Sequence, residues 1–346
     1  MNPLLAPILK PLSRVYASQI GKRNARFDRG EGVVTFDRPV ISVGNLSVGG
    51  TGKTPMVRRI IKLLRDTGHD PCIAMRGYGS NRRDDGRSDE ADEYAAIFDD
   101  LPIVAQPNRT EGLINLFGTE RGERVDTIVL DDGFQHRRIA RHLDIVLIDA
   151  TRSPLEDNLL PLGRLREPMD SLARAQAAVI THTERASDVV VNDITRASLA
   201  ANPDLLIATS RHAWTGVGVT DIEHLLSWLA GKTVLPVCAI GNPDAFIESV
   251  RAQVGRVLDP IVLRDHDPYA AATVRRIIRE AAHADAIVTT AKDWAKLRGE
   301  DPSAWPCPVA VPKLEMQLVT HAGAFDRLVL AAAAETAEDT LDPWPA

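Results

Sequence analysis

The residues best suited to chemistry lie in one short run, Asn45-Leu-Ser-Val-Gly49-Gly50-Thr51-Gly52-Lys53-Thr54. Gly49, Gly50 and Gly52 let backbone N–H groups turn inward around phosphate oxygens, with Thr51 among them. A helix starting here adds the positive end of its dipole. In such a loop Lys53 reaches the β- and γ-phosphates of a nucleoside triphosphate, and Thr54 ligates Mg²⁺. The strict pattern has glycine at position 47, where this chain has Ser47. The flanks supply the required context: residues 40–44 read as a buried strand and residues 56–65 as a helix. Pro55 falls in the first helical turn, where its missing N–H costs little. A flexible glycine turn is the bland alternative, but Gly-Lys-Thr at a strand-to-helix junction reads as phosphate binding. The loop says nothing about the phosphate acceptor.

A second group of candidates sits at another strand end. Residues 127–130 are apolar and run into Asp131 and Asp132. A carboxylate there lies beside a phosphate loop and holds Mg²⁺ directly or through water. Asp149 ends a similar run, and reads as a turn residue. Glu167, in Arg-Glu-Pro168, is a third possible contact to Mg²⁺ or its waters. Gln135, His136 and Arg137, next to Arg138, form either a binding site for an anionic substrate or a solvated turn. Arg76 and Tyr78, at a further strand end, and Asn108 with Arg109 either touch substrate or make structural turns. On residue types alone, Asp92 in Ser88-Asp-Glu-Ala-Asp-Glu93 is one of several surface acids within a polar loop spanning 81–92.

These groups must be held by a scaffold, and the rhythm of the chain indicates which one. Short β-branched runs separated by helix-length segments recur from residue 39 onward. They predict an α/β fold, a P-loop NTPase-like parallel sheet with flanking helices. The rhythm breaks around 211–230, where residues 222–229 read as an amphipathic helix. A second βα series then predicts a smaller α/β/α domain. The expected division is a basic N-terminal segment at 1–25, a P-loop domain at 26–214, a smaller domain at 215–330 closing over the nucleotide, and a frayed tail at 331–346.

Composition narrows the function classes. The chain has 346 residues and a net charge of −6, which argues against a nucleic-acid binder. Its three cysteines, Cys72, Cys238 and Cys307, have neither disulfide nor zinc spacing. No apolar run approaches the roughly 18 residues of a membrane span, and no signal peptide is evident. Charge is nonetheless uneven: residues 1–29 hold six cations and a single anion, Asp28. Leu4, Leu5, Ile8, Leu9, Leu12, Val15, Tyr16 and Ile20 fall on a helical stripe. This segment is either an interfacial helix on anionic lipid or a helix packed on the domain, and Pro7 and Pro11 argue against one continuous rod.

Three strings then become specific when taken in order: residues 42–55, Asp131-Asp-Gly-Phe-Gln-His-Arg-Arg138, and Leu162-Gly-Arg-Leu-Arg-Glu-Pro168. Together with Ala239-Ile-Gly-Asn-Pro243, Asp265-His266 and Thr289-Thr-Ala-Lys-Asp293, they resemble the tetraacyldisaccharide 4′-kinases of lipid A synthesis, across roughly residues 5–320. The resemblance implies transfer of the γ-phosphoryl group of ATP, with Mg²⁺, to the 4′-hydroxyl of an acylated glucosamine disaccharide 1-phosphate. It implies a peripheral enzyme on the cytoplasmic face of the bacterial inner membrane, touching that surface through its N-terminal segment, with no obligatory protein partner. It places an acid–base pair on Asp92 and His266 beside Lys53, and brings Lys292 and Asp293 to the nucleotide. Ala91, Asp267 and Ala291 depart from the family's usual Gly, His and Glu.

Two rival classes lack their signatures. A GTPase needs Asn/Thr-Lys-x-Asp, whereas Asp293 follows Lys292 directly. A deviant-Walker assembly or regulatory ATPase needs a lysine where this chain has Val48.

Overall fold

The computed structural model describes residues 6–77, 89–219, 222–241, 243–264, 267–299 and 302–335. Tyr78, Asp265, His266 and the residues beyond 335 lie outside these, as does most of the polar loop preceding Asp92. The chain forms two compact units. Unit 1 comprises residues 1–211 and 316–346, and unit 2 is His212–Glu315.

Unit 1 begins with helix α1 (Ala6–Asp28) and continues through β1 (Val40–Asn45), α2 (Lys53–Asp66), β2 (Pro71–Met75), α3 (Asp89–Ile97), β3 (Ile103–Ala105) and α4 (Arg109–Phe117). The one-turn α5 (Glu120–Glu123) precedes β4 (Thr127–Asp131), β5 (Leu143–Asp149), β6 (Ala177–Thr181) and α6 (Asp188–Ala201). The strands lie in the order β3-β2-β4-β1-β5-β6, followed by β7 (Leu206–Val219), and every pairing among these seven is parallel. Parallel strands covered on both faces are expected to be apolar throughout, and β1, β4 and β5 are buried at every position. The register sets Val43 beside Asp131. The strand leading into the glycine loop therefore ends next to the strand carrying the carboxylates.

Helix α2 buries Met56, Val57, Ile60, Ile61 and Leu64, a helical stripe that packs in one core cluster with Ile41 and Val43 of β1. The loop after β4 lies tightly over β1. A Cβ on Gly44 would stand 2.6 Å from the Phe134 backbone nitrogen, and would also meet the Phe134 side chain.

Three sequence-based expectations change here. Helix α1 is continuous despite its prolines. Pro7 stands in the first turn, where an N–H has no helical partner, and Pro11 removes one bond from a 23-residue helix without ending it. Residues 222–229 are not a helix: β8 (Ile222–His224) pairs antiparallel with β7, and a tight 3₁₀ turn, Leu226–Leu229, follows. Pairing with β7 satisfies the backbone there, and Ile222 and Leu225 are exposed rather than forming a buried face. Finally, unit 2 stops at Glu315. The last helix, α10 (Ala322–Ala334), belongs to unit 1, where Phe325, Val329, Ala332 and Ala333 share the α2–β1 core, so residues 331–334 are packed rather than frayed.

Unit 2 repeats the layered plan on a smaller scale. After β8 come β9 (Thr233–Cys238), α7 (Pro243–Arg251), β10 (Arg256–Val257), β11 (Ile261–Val262), α8 (Ala271–Ala281), β12 (Ala286–Thr289), α9 (Ala291–Leu297) and β13 (Val309–Thr320). Strands β10, β11 and β12 pair parallel with β9, and β12 with β13. Its core includes Leu235, Val237, Ile277, Ile287 and Leu297.

The close approach at Gly44 is testable. Gly44→Ala forces the loop after β4 off β1 and is expected to destabilise the protein by about 1–3 kcal/mol. Denaturant unfolding should show a lower midpoint at unchanged slope. An unchanged midpoint would mean that the loop shifts at no cost.

Candidate active site

The phosphate loop is held from beneath by its own strand. Asn45 Nδ2, at the end of β1, donates to Thr51 Oγ1 at 2.8 Å, both groups buried. The Thr51 carbonyl in turn accepts from Thr181 Oγ1 at 3.1 Å, at the end of β6. Gly49 (φ 121°) and Gly52 (φ 86°) occupy backbone conformations that side chains disfavour, and Gly52 directly precedes the first turn of α2. The glycine loop thus runs directly into the N-terminus of a 14-residue helix, the setting an oligophosphate requires.

Beside this loop the two carboxylates at the end of β4 have different surroundings. Asp131 is buried and accepts from Tyr94 Oη of α3 at 2.9 Å. Burial pushes its ionisation above the usual carboxylate range, although the Tyr94 bond and the Lys53 charge pull it back down. Burial likewise raises Asp132, but Lys53, Arg166 and Arg109 together outweigh it and hold the group below its ordinary value. Lys53 Nζ lies 3.4 Å from Asp132 Oδ1, and Arg166 Nη1 lies 2.8 Å from each Asp132 oxygen. Burial also raises the Tyr94 hydroxyl strongly, with Asp131 adding to the effect, so it stays a neutral donor. Hard oxygens from Thr54, Asp131 and Asp132 next to a phosphate cradle match the donor set Mg²⁺ prefers.

The string after Asp132 divides between two tasks. Gln135 Nε2 donates to the Asn45 carbonyl at 2.9 Å, bracing the phosphate loop. The ring of His136 is pushed down to about 4, by burial first and then by Arg109, Arg141, Arg138 and Arg76, so it is neutral near pH 7. Its Nε2 is buried without a hydrogen-bond partner. Arg137, expected at substrate, points elsewhere: it is buried and bonds Asp28 Oδ1 at 2.7 Å and the Asn24 carbonyl at 3.2 Å, both on α1. Arg141, which sequence reasoning passed over, bonds Asp144 and the carbonyls of Gly133, Phe134, His136 and Ile139, fixing the shape of the string.

The remaining expected positions are placed as follows. Arg109 is buried at the start of α4 and donates to the Asp132 carbonyl at 3.2 Å, while Asn108 Nδ2 bonds Glu111. Arg76 is exposed just beyond β2. Asp92 is half-buried on α3, two residues before Tyr94. Asp149 accepts from Thr151 N and Oγ1, which confirms it as a turn residue. Glu167, expected near the metal, has a fully buried carboxylate directed at α1 and Arg174. It takes Arg174 Nη2 at 2.8 Å, Asn24 Nδ2 at 3.1 Å and Arg23 Nη2 at 3.4 Å. Three donors engage that carboxylate and tie it to α1 and Arg174. In unit 2, Lys292 is exposed on α9, whereas Asp293 is buried and accepts from Thr290 Oγ1 at 2.7 Å and the Ala239 amide at 3.1 Å. Asp293 thereby ties α9 to the end of β9 within that unit.

Sequence reasoning missed Tyr94 and Arg166 as site residues. Tyr94 directly follows Asp92-Glu93, and Arg166 stands in the 162–168 string directly before Glu167. The available signal was their adjacency to acidic residues.

A glycine loop between a parallel strand and a helix, with Lys53 and a carboxylate pair at the neighbouring strand end, defines a P-loop nucleotide-binding protein of the phosphotransferase type. The family model for tetraacyldisaccharide-1-P 4′-kinase (LpxK) matches residues 5–333. The chain belongs to that family. It is 33% identical over 311 residues to the tetraacyldisaccharide 4′-kinase of Chlorobium luteolum, covering 85% of this chain and 87% of that one. Against the enzyme of the same name from Bdellovibrio bacteriovorus it is 34% identical over 308 residues, covering 84% and 89%. Among solved structures it resembles LpxK from Aquifex aeolicus in complex with ATP, with a TM-score of 0.71 and 26% identity over 95% of this chain and 99% of that one.

The pairing of Tyr94 with Asp131 has a pH signature. Tyr94→Phe removes a donor that favours the ionised carboxylate, so Asp131 should protonate at a higher pH than in wild type. The acid limb of Mg²⁺-nucleotide binding should move upward accordingly, and an unmoved limb would show that the bond does not govern Asp131.

Proposed function

We propose that this protein transfers the γ-phosphoryl group of ATP to the 4′-hydroxyl of an acylated glucosamine disaccharide 1-phosphate, a step of lipid A biosynthesis. The observation that carries this reading is the Lys53–Asp132–Arg166 cluster set against the glycine loop, in a chain of the tetraacyldisaccharide 4′-kinase family. Family membership leaves the deviant-Walker ATPase reading without support.

In this reading the amides of residues 49–52 and Lys53 hold the β- and γ-phosphates, and the dipole of α2 adds to the same field. Thr54 and the Asp131–Asp132 pair would hold Mg²⁺, which neutralises charge on the phosphoryl group as it moves. Arg166 keeps Asp132 oriented and ionised. Asp92 takes the proton of the attacking hydroxyl, and His266 is assigned to the same acid–base pair by the family pattern alone. Arg76, Tyr78, Asn108, Arg109, Gln135 and the neutral His136 are assigned to the acceptor. Lys292 is assigned to the nucleotide.

Helix α1 is assigned to the inner-membrane surface, at its cytoplasmic face. Leu12 and Val15 are exposed on it, alongside exposed Lys10, Arg14 and Lys22. No helix of the described residues is long and apolar enough to cross a membrane.

The central experiment follows labelled γ-phosphate from ATP to purified acylated disaccharide 1-phosphate. Wild type should label the lipid, and Lys53→Ala should lower kcat by about 10²–10³-fold, the scale for removing one group that stabilises transition-state charge. Asp92→Ala should be similarly impaired. Absence of labelled lipid from wild type would overturn the reading.

A second experiment concerns α1. Replacing Lys10, Arg14 and Lys22 by Glu should weaken sedimentation with anionic vesicles, at about 1 kcal/mol per charge removed. Undiminished sedimentation would exclude this face.

A further inference from the structure

Helix α1 is joined to the phosphate loop by a continuous set of contacts that the phosphotransfer reading does not use. Tyr16 Oη donates to the Arg166 carbonyl at 3.1 Å, and Ser13 Oγ to the Leu159 carbonyl at 2.8 Å. One turn and more further along, Arg23 and Asn24 reach the two oxygens of Glu167. The far end of α1 is fastened by the Asp28–Arg137 ion pair.

The segment that receives these contacts is itself strapped to the lead of the glycine loop. The Arg166 amide donates to the Leu46 carbonyl at 2.6 Å, the Val48 amide to the Arg164 carbonyl at 2.8 Å, and Ser47 bridges Leu165. The Arg166 side chain then grips Asp132, which faces Lys53. From α1 to Lys53, then, every link is a hydrogen bond or an ion pair.

We propose that Glu167 is a positioning residue for phosphoryl transfer: it holds α1 against the 164–168 segment, and through Arg166 keeps Asp132 and Lys53 in working register. A carboxylate without solvent exposure, carrying two arginines and an amide, cannot move without leaving charge uncompensated. The seat of α1 is therefore read at the phosphate loop. This inference rests on the kinase reading for its kinetic test and on none of it for its structural test.

The test places a repelling carboxylate inside the joint. In the full-length protein, Asn24→Asp sets two carboxylates in contact, and Asn24→Asp with Glu167→Gln restores the pair with donor and acceptor exchanged. The single variant should lose about tenfold or more in kcat at saturating ATP and acceptor, the scale for supporting contacts around a metal ligand. Its KM for the acceptor should stay as in wild type, and the double variant should recover most of the rate. Hydrogen exchange at the Val48 and Arg166 amides should accelerate in the single variant and return in the double one. If Asn24→Asp does not fold, Tyr16→Phe removes one link at the half-buried surface of α1 and should show the same kinetic split at a few-fold scale. Unchanged kcat and exchange overturn the proposal. So does a loss confined to the KM of the acceptor, or a double variant that folds as wild type without recovering. A wild type that exchanges as described but phosphorylates no lipid would refute the kinase reading and leave the coupling standing.

Discussion

Two adjacent carboxylates at the end of one buried strand are the constraint around which unit 1 is arranged. Neither can be ionised at the edge of a packed core without cations or donors facing it. Lys53 arrives from the start of α2, Arg166 from the segment strapped to the glycine loop, Arg109 from the start of α4, and the Tyr94 hydroxyl from α3. Four separate parts of the chain converge because β4 ends in acid. The parallel register that sets Val43 beside Asp131 brings the phosphate loop to the same point. Two carboxylates beside a phosphate loop supply hard oxygens, the donors a divalent cation prefers. The counter-charges show which oxygens are already engaged and which face the cradle.

The scaffold was legible because its signals are local. Apolar runs of strand length, a glycine loop and a helical stripe on α2 each follow from residues a few positions apart, and they fold as read. The failures share a cause as well. Ile222, Leu225 and Leu229 carry helical spacing, yet backbone pairing with β7 decided that segment. The end of α10 looked like a tail because its partners, Ile41 and Met56, lie more than 250 residues earlier. Arg137 and Glu167 looked like ligands because both stand in motif strings beside the site. Their side chains turn to Asp28, Asn24 and Arg23 on α1, and local sequence does not record which way a side chain turns. Motif membership located the neighbourhood of the site, whereas only three-dimensional contacts separated residues that face the cradle from residues that brace it.

The bracing set is unusually rich in arginine. Arg137 bonds a carboxylate and a carbonyl of α1, Arg166 grips Asp132, and Arg141 and Arg174 each span carbonyls or carboxylates from more than one segment; Arg174 also stacks on the Phe134 ring at 3.6 Å. A planar guanidinium with five donors can satisfy several carbonyls of an irregular loop at once, which lysine cannot do. The string after β4 contains few regular hydrogen bonds of its own, and these side chains supply them.

The interruption of unit 1 also bears on how the protein is made. Residues 212–315 are contiguous, but the core beneath the phosphate loop needs Met316, Phe325 and Val329 to close. During synthesis, the inserted unit is complete in sequence while the unit bearing the chemistry still lacks its last helix. Until that helix has been made, the apolar stripe of α2 beside the phosphate loop has nothing of α10 to cover it.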